Sequence, residues 1–253
     1  MVLKHSMESV LLSQLTFNFN QEENKMAEIF GINDTYAGNV GLDELESERQ
    51  TLIRLIIDKS GSMSPFESIM VDCLNKFKSA IEGAKESDEM LIGKTLFDSN
   101  IDASGYRFIA DFTSNYSAGG NTRLYDAIVK EQKDLIDGKG NGYMEHLQQN
   151  GIKVKAVLAI FSDGEDNSSQ CSANDTRKAI EFLHSKEIIV AFVTFGNGAE
   201  GIAKQIGVKD QNILQIDATE SGLRKVFEVL SKSAISASKS TGAGNPTDSF
   251  FVV

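Results

Sequence analysis

Short apolar runs that alternate with amphipathic helical patterns most strongly constrain the fold of this chain of 253 residues. Residues 51–58, 154–161 and 188–195 are nearly continuous apolar runs of strand length. Such runs are typical of parallel strands that are covered on both faces by helices. After Ser64-Pro65, large apolar residues recur at spacings of three and four, which predicts a helix. We therefore expect an α/β fold with a doubly wound, mostly parallel sheet flanked by helices.

Three more strands complete a predicted sheet of six. Residues 89–97 and 213–216 have the apolar content of strands, and residues 106–112 alternate apolar and polar side chains. Such alternation is typical of an antiparallel edge strand with one face exposed. Further helices are predicted at residues 124–136 and in the apolar pattern of residues 219–237. The strands thus alternate with helices along most of the chain.

A polar segment follows the first apolar run. The sequence Asp58-Lys59-Ser60-Gly61-Ser62 places one carboxylate and two hydroxyls at alternate positions on the loop that leaves the strand. Hard divalent cations such as Mg²⁺ prefer hydroxyl and carboxylate oxygens. In an open α/β sheet, this end of a strand is also where ligands bind. Taken alone, however, the segment favours a simpler interpretation, an Asp or Ser N-cap for the next helix.

Two later segments change this interpretation. Thr122 lies on the loop Gly119-Gly120-Asn121-Thr122, which opens a predicted helix. Asp163 belongs to the segment Ser162-Asp163-Gly164, in which the predicted strand at residues 154–161 ends. A strand-end D-x-S-x-S, a loop threonine and a strand-end aspartate, in this order, resemble the metal-ion-dependent adhesion site (MIDAS) of von Willebrand factor type A (VWA) domains. The resemblance covers about residues 48–237. The three parts together are more specific than any one of them, because each falls where the predicted elements require it.

The resemblance implies both a topology and a ligand set. It implies the strand order 3-2-1-4-5-6 with strand three antiparallel, so that strands one and four flank the topological switch point. It implies that Ser60, Ser62 and Thr122 bind Mg²⁺ directly, with Mn²⁺ or Ca²⁺ as possible substitutes. It also implies that Asp58 and Asp163 act through water molecules bound to the metal or by contacting the direct ligands. A partner's Asp or Glu would then complete the coordination. This describes a protein-binding module and not an enzyme.

Composition narrows the partners and the compartment. The net charge of −11 argues against nonspecific binding to nucleic acid or to an anionic membrane. The two cysteines, Cys73 and Cys171, fall in different segments and favour a reducing compartment. No apolar run approaches membrane-spanning length, and the first residues make a poor signal peptide. We expect a cytoplasmic protein that is monomeric alone and similar to intracellular VWA adaptors, including tellurite-resistance-type proteins and partners of AAA+ ATPases.

Other functions remain open at this stage. The segment from Gly196 to Gly201 matches G-x-G-x-x-G after a strand, which is the formal fingerprint of a dinucleotide-binding enzyme. Against it, the helix expected at residues 202–206 is short, and the motif follows the fifth strand. A metal-assisted hydrolase would need the metal to activate water, but no nearby His or Lys base is evident. A structural role with a relic metal site also remains.

Three regions are predicted along the chain. Residues 1–47 lack a clear period and form either an arm on the domain or a partly disordered extension. Residues 48–237 form the VWA-type domain. Residues 238–253 form a flexible tail rich in small residues. Its apolar end, which begins at Phe250, either docks on the domain, binds a partner or reflects where the chain ends.

Overall fold

Seven strands form one sheet: β1 (Arg49–Asp58), β2 (Met90–Phe97), β3 (Ile101–Ala103), β4 (Arg107–Phe108), β5 (Lys153–Ser162), β6 (Ile189–Phe195) and β7 (Ile213–Ile216). Their order is β3-β2-β1-β5-β6-β7, and β4 also pairs with β2, at other residues than β3. The computed structural model describes residues 39–195, 199–239 and 249–251. All strand pairs are parallel except those that β2 makes with β3 and β4. The predicted doubly wound order is confirmed, with β1 and β5 at its centre.

Helices cover both faces of this sheet. They are α1 (Glu67–Glu82), α2 (Leu124–Leu135), α3 (Tyr143–Gln149), α4 (Ala173–Ser185), α5 (Ala199–Gln205) and α6 (Glu220–Lys239). Successive side chains of β1 point to opposite faces, as in any strand. Ile53 and Ile57 therefore join one apolar cluster with α1 and α6, whereas Leu52 and Ile56 join another with α2, α3 and α4. Burial on both faces explains why the strands are nearly continuous apolar runs.

The antiparallel edge differs from the strand predicted at residues 106–112. The predicted antiparallel pairing is confirmed within that range, but it covers only β4 (Arg107–Phe108), and Ile109–Asp111 forms a 3₁₀ turn. The short strand β3 supplies the other antiparallel pairing with β2. Side chains three residues apart lie on the same side of such a turn. The turn thus buries Ile109 and Phe112 in one cluster. The prediction of a single strand was wrong because the alternation of side chains did not reveal that both residues pack towards the same core.

The regions on either side of the sheet are partly described. Of the predicted arm at residues 1–47, residues 1–38 lie outside the described residues. Val40 lies within them: its N–H donates to the carbonyl oxygen of Tyr106 at 2.9 Å, and its carbonyl accepts from the Tyr143 hydroxyl at 2.9 Å. At the other end, α6 continues to Lys239. Within the described ranges, no helix combines the length and apolarity needed to cross a bilayer.

The apolar end of the predicted tail packs onto the domain. Phe250 and Phe251 are buried in the same cluster as α1 and α6. The Phe250 N–H donates to Asn212 Oδ1 at 2.8 Å, and the Ser249 hydroxyl donates to the carbonyl oxygen of Gln211 at 2.9 Å. Residues 240–248 and 252–253 lie outside the described residues. Of the three outcomes considered for this segment, docking on the domain is the one observed.

Candidate metal centre

Asp58 is the most buried member of the predicted ligand set, with 0% of its surface exposed at the end of β1. Its Oδ1 accepts the Ser60 N–H at 2.8 Å, and its Oδ2 accepts the Ser162 hydroxyl at 2.7 Å. Ser162 ends β5, the neighbour of β1, so the sheet order brings the two side chains together. The Tyr116 hydroxyl donates to the main-chain oxygen of Asp58 at 2.7 Å. Both carboxylate oxygens are therefore held in fixed directions.

The two serines of the motif face each other. Ser60 Oγ lies 3.0 Å from Ser62 Oγ. Ser60 occupies the N-cap position of the 3₁₀ turn Gly61–Phe66, but its side chain makes no cap hydrogen bond there. The simpler N-cap interpretation thus accounts for the position of Ser60 but not for the direction of its hydroxyl. Adjacent oxygens of an octahedral Mg²⁺ site lie about 2.9 Å apart, so the serine pair fits two neighbouring coordination positions.

The loop that carries Thr122 packs against the serine loop. The Gly119 N–H donates to the carbonyl oxygen of Lys59 at 2.7 Å, and the Gly61 N–H donates to that of Gly120 at 3.1 Å. Gly120 has φ +77°, and an added Cβ would lie 2.8 Å from the hydroxyl of Ser99. Only glycine tolerates this conformation at such close approach. Thr122 itself is 3% exposed.

Asp163 supplies a second negative charge beside Asp58. The pKa of Asp58 is raised to about 6, mainly by burial and to a smaller extent by the charge of Asp163, against the lowering effect of the hydrogen bonds from Ser60 and Ser162. The cation adjacent in sequence, Lys59, forms ion pairs with Asp98 and Asp102 instead, at 3.3 and 2.8 Å. Burial and a neighbouring acid both destabilise the charged form of a carboxylate, so a bound cation would stabilise it.

The donor set consists mainly of hydroxyls. In the part of the chain that the structure describes, no group of three or more His, Cys, Asp and Glu side chains could hold a metal ion. The candidate centre instead combines Ser60, Ser62 and Thr122 with the carboxylates of Asp58 and Asp163. Uncharged oxygen donors with carboxylate support suit a hard cation such as Mg²⁺ or Mn²⁺.

Sequence analysis missed two residues that hold the candidate ligands. Ser162 binds Asp58 although 104 residues separate them. Its position as a polar residue at the end of an apolar strand was a usable signal. Asn167 accepts the Thr122 N–H through its Oδ1 at 2.9 Å, across 45 residues. No periodicity or motif in the chain predicts that contact.

The alternative nucleotide loop is only partly described. Residues 196–198, which include its first two glycines, lie outside the described residues. Gly201 lies inside α5, and an added Cβ there would meet nothing within 4 Å.

Comparisons with known proteins show the fold. No protein-family model and no curated protein sequence matches this chain. Its structure is similar to the pilus adhesin SpaC of Lactobacillus rhamnosus GG, with a TM-score of 0.58 and 11% identity over 74% of this chain and 30% of that one. It is also similar to proximal thread matrix protein 1 of the mussel byssus with a zinc-occupied MIDAS motif. There the TM-score is 0.53 and the identity 14%, over 74% of this chain and 46% of that one.

The fold is VWA-like. The chain spans less than half the length of either protein. At these identities the similarity concerns the arrangement of the sheet and helices alone.

Proposed function

We propose that this chain is a protein-binding module that depends on a divalent metal. In this proposal Ser60, Ser62 and Thr122 hold Mg²⁺, and an Asp or Glu of a protein partner completes its coordination. The observation that carries the proposal is Asp58, a fully buried carboxylate. The ion pairs among the described residues do not include it. Buried charges in proteins are normally paired or coordinate metals, and a cation beside the serine pair would provide the missing charge.

The chemistry of the donors supports binding without turnover. Hydroxyl ligands carry no charge, so a Mg²⁺ bound by Ser60, Ser62 and Thr122 would remain strongly electrophilic. Mg²⁺ usually keeps several waters and takes few protein ligands. Ser62 and Asn121, on the two loops of the centre, are exposed, so the centre lies open to a macromolecular ligand. A partner's carboxylate would replace one water and add a charged ligand.

The role that we propose for the module is that of a cytoplasmic adaptor. Cys73 and Cys171 are both free thiols, which is typical of proteins kept in a reducing compartment. The acidic net charge of −11 fits a partner that is recognised through a bound cation and not through the bulk charge of this chain.

The test compares metal-dependent capture by the wild-type chain and by Asp58→Ala. Proteins captured from the host lysate in Mg²⁺ should be released by EDTA, and Asp58→Ala should capture none of them while remaining folded by circular dichroism. Asp88→Ala is the matched control, because it removes an exposed acid elsewhere on the domain. The proposal fails if the same partner is retained in EDTA, or if Asp58→Ala loses Mn²⁺ binding yet keeps full partner affinity.

A further inference from the structure

Both main-chain polar groups of Thr122 are bound by the loop between β5 and α4. The Thr122 N–H donates to Asn167 Oδ1 at 2.9 Å. Its carbonyl oxygen accepts the N–H groups of Asn167 and Ser168 at 3.2 and 3.1 Å. Since Thr122 precedes the first residue of α2, it has no helical hydrogen bonds of its own to fix its direction. The neighbouring loop therefore sets where its side chain points.

That loop is itself anchored to the start of α2. The helix has no side-chain cap of its own, and its first N–H groups are accepted from across the fold. The Tyr125 N–H donates to Asp166 Oδ2 at 3.0 Å, and the Asp126 N–H donates to the Ser169 hydroxyl at 3.1 Å. These acceptors satisfy donors that every helix leaves unpaired at its beginning.

The anchoring is reciprocal. The Asp126 carboxylate accepts the N–H groups of Gln170 and Cys171, the latter at 2.8 Å. Asp126 is 0% exposed, so these contacts lie where water does not compete for them. Residues 166–171 and the start of α2 thus form one hydrogen-bonded unit, and the same loop binds Thr122.

From this geometry we propose that Asn167 is a positioning residue that aims Thr122 at the metal. The inference rests on the proposed function and adds to it a residue that touches no metal. Groups behind metal ligands orient them, and their loss typically weakens metal affinity by about 10- to 100-fold. Asn167 is exposed. Its main-chain N–H also donates to the Thr122 carbonyl oxygen, and this bond does not depend on the Asn167 side chain. Its side chain therefore matters more for the direction of Thr122 than for the stability of the core.

The test measures Mn²⁺ affinity by electron paramagnetic resonance for the wild type, Asn167→Ala and Asn167→Asp. We expect Asn167→Ala to weaken Mn²⁺ binding about tenfold. Asn167→Asp keeps an acceptor for the Thr122 N–H and should restore affinity to at least the wild-type value. Asn150→Ala removes an exposed side chain from the end of α3 and should leave the affinity for Mn²⁺ unchanged.

A second control separates positioning from stability. Glu145→Ala removes the side-chain acceptor for two N–H groups before α3, so it should lower the unfolding midpoint without changing Mn²⁺ affinity. If Asn167→Ala binds Mn²⁺ like the wild type, or if Asn167→Asp is weakened equally, the positioning role is refuted while the metal site stands. A wild-type chain that binds no Mn²⁺ would refute the proposed function, and this inference with it.

Discussion

Two buried carboxylates, Asp58 at the end of β1 and Glu131 packed against β1, differ in how their negative charge is balanced. Glu131 on α2 is 1% exposed, and its Oε2 forms an ion pair with Arg54 Nε at 2.9 Å. Asp58, four residues after Arg54 on β1, is held by the hydroxyl of Ser162 and the N–H of Ser60. The first carboxylate has a cation supplied by the chain. The second has hydroxyls around it and another acid, Asp163, beside it.

Arg54 and the residues that it contacts, Glu131, Tyr106 and Ser104, form what we call the closed network. The Arg54 guanidinium lies 4.2 Å from the centre of the Tyr106 ring and donates to the carbonyl oxygen of Ser104 at 2.5 Å. A Cβ added at Gly93 would lie 2.4 Å from Arg54 Cζ, so no larger residue fits there. Arg54 and Glu131 are 0% and 1% exposed, so the ion pair is shielded from solvent. We infer that the buried carboxylate of Glu131, whose cation is supplied by Arg54, stabilises the fold. The buried carboxylate of Asp58 has no ion pair among the described residues and lies near exposed loops, so it is suited to binding a cation.

The largest expected effect concerns the closed network. Arg54→Met should lower the free energy of unfolding by about 3–5 kcal/mol, because it leaves Glu131 as an unpaired buried charge. Urea denaturation followed by circular dichroism measures this loss. The double variant Arg54→Met with Glu131→Leu removes both charges and should recover most of the stability. A single variant that loses less than about 1 kcal/mol would mean that Glu131 is already neutral or solvated.

The second prediction concerns the candidate metal centre. Mn²⁺ at 100 times its dissociation constant should raise the free energy of unfolding by about 2.7 kcal/mol, because it binds the folded chain alone. Asp58→Asn should abolish this gain, whereas the double variant of the closed network should keep it. Thermal unfolding with and without EDTA measures both. Equal stabilisation of the wild type and Asp58→Asn would place the metal elsewhere.

The smallest expected effect sharpens the contrast between the two carboxylates. In EDTA, Asp58→Asn should change the free energy of unfolding by no more than about 1 kcal/mol. The amide oxygen can still accept the Ser60 N–H, and the variant removes both a buried charge and its repulsion from Asp163. Urea denaturation without metal is the measurement. A loss as large as that of Arg54→Met would show that Asp58 serves the fold as much as Glu131 does.

Much of the fold followed from local patterns in the sequence. Apolar runs of strand length indicated buried parallel strands because such strands are covered on both faces. The central strands run one or two residues beyond their predicted ends, and residues 213–216 form β7 as predicted. Helix α3 was not predicted, since its seven residues are too few to display a clear period. The predicted length of the edge strand at residues 106–112 was wrong, because the alternation did not reveal that Ile109 and Phe112 pack into the same core.

The types and order of the candidate ligands could be read directly from the amino-acid sequence. It placed Asp58 and Asp163 at strand ends, and the strand order made those ends neighbours. Their role as metal ligands stays a prediction. The residues that hold the candidate ligands became visible only in the folded chain, where Ser162 binds Asp58 and Asn167 binds Thr122, across 104 and 45 residues. Periodicity records which face of an element is buried, whereas these hydrogen bonds exist only once separate elements have packed together.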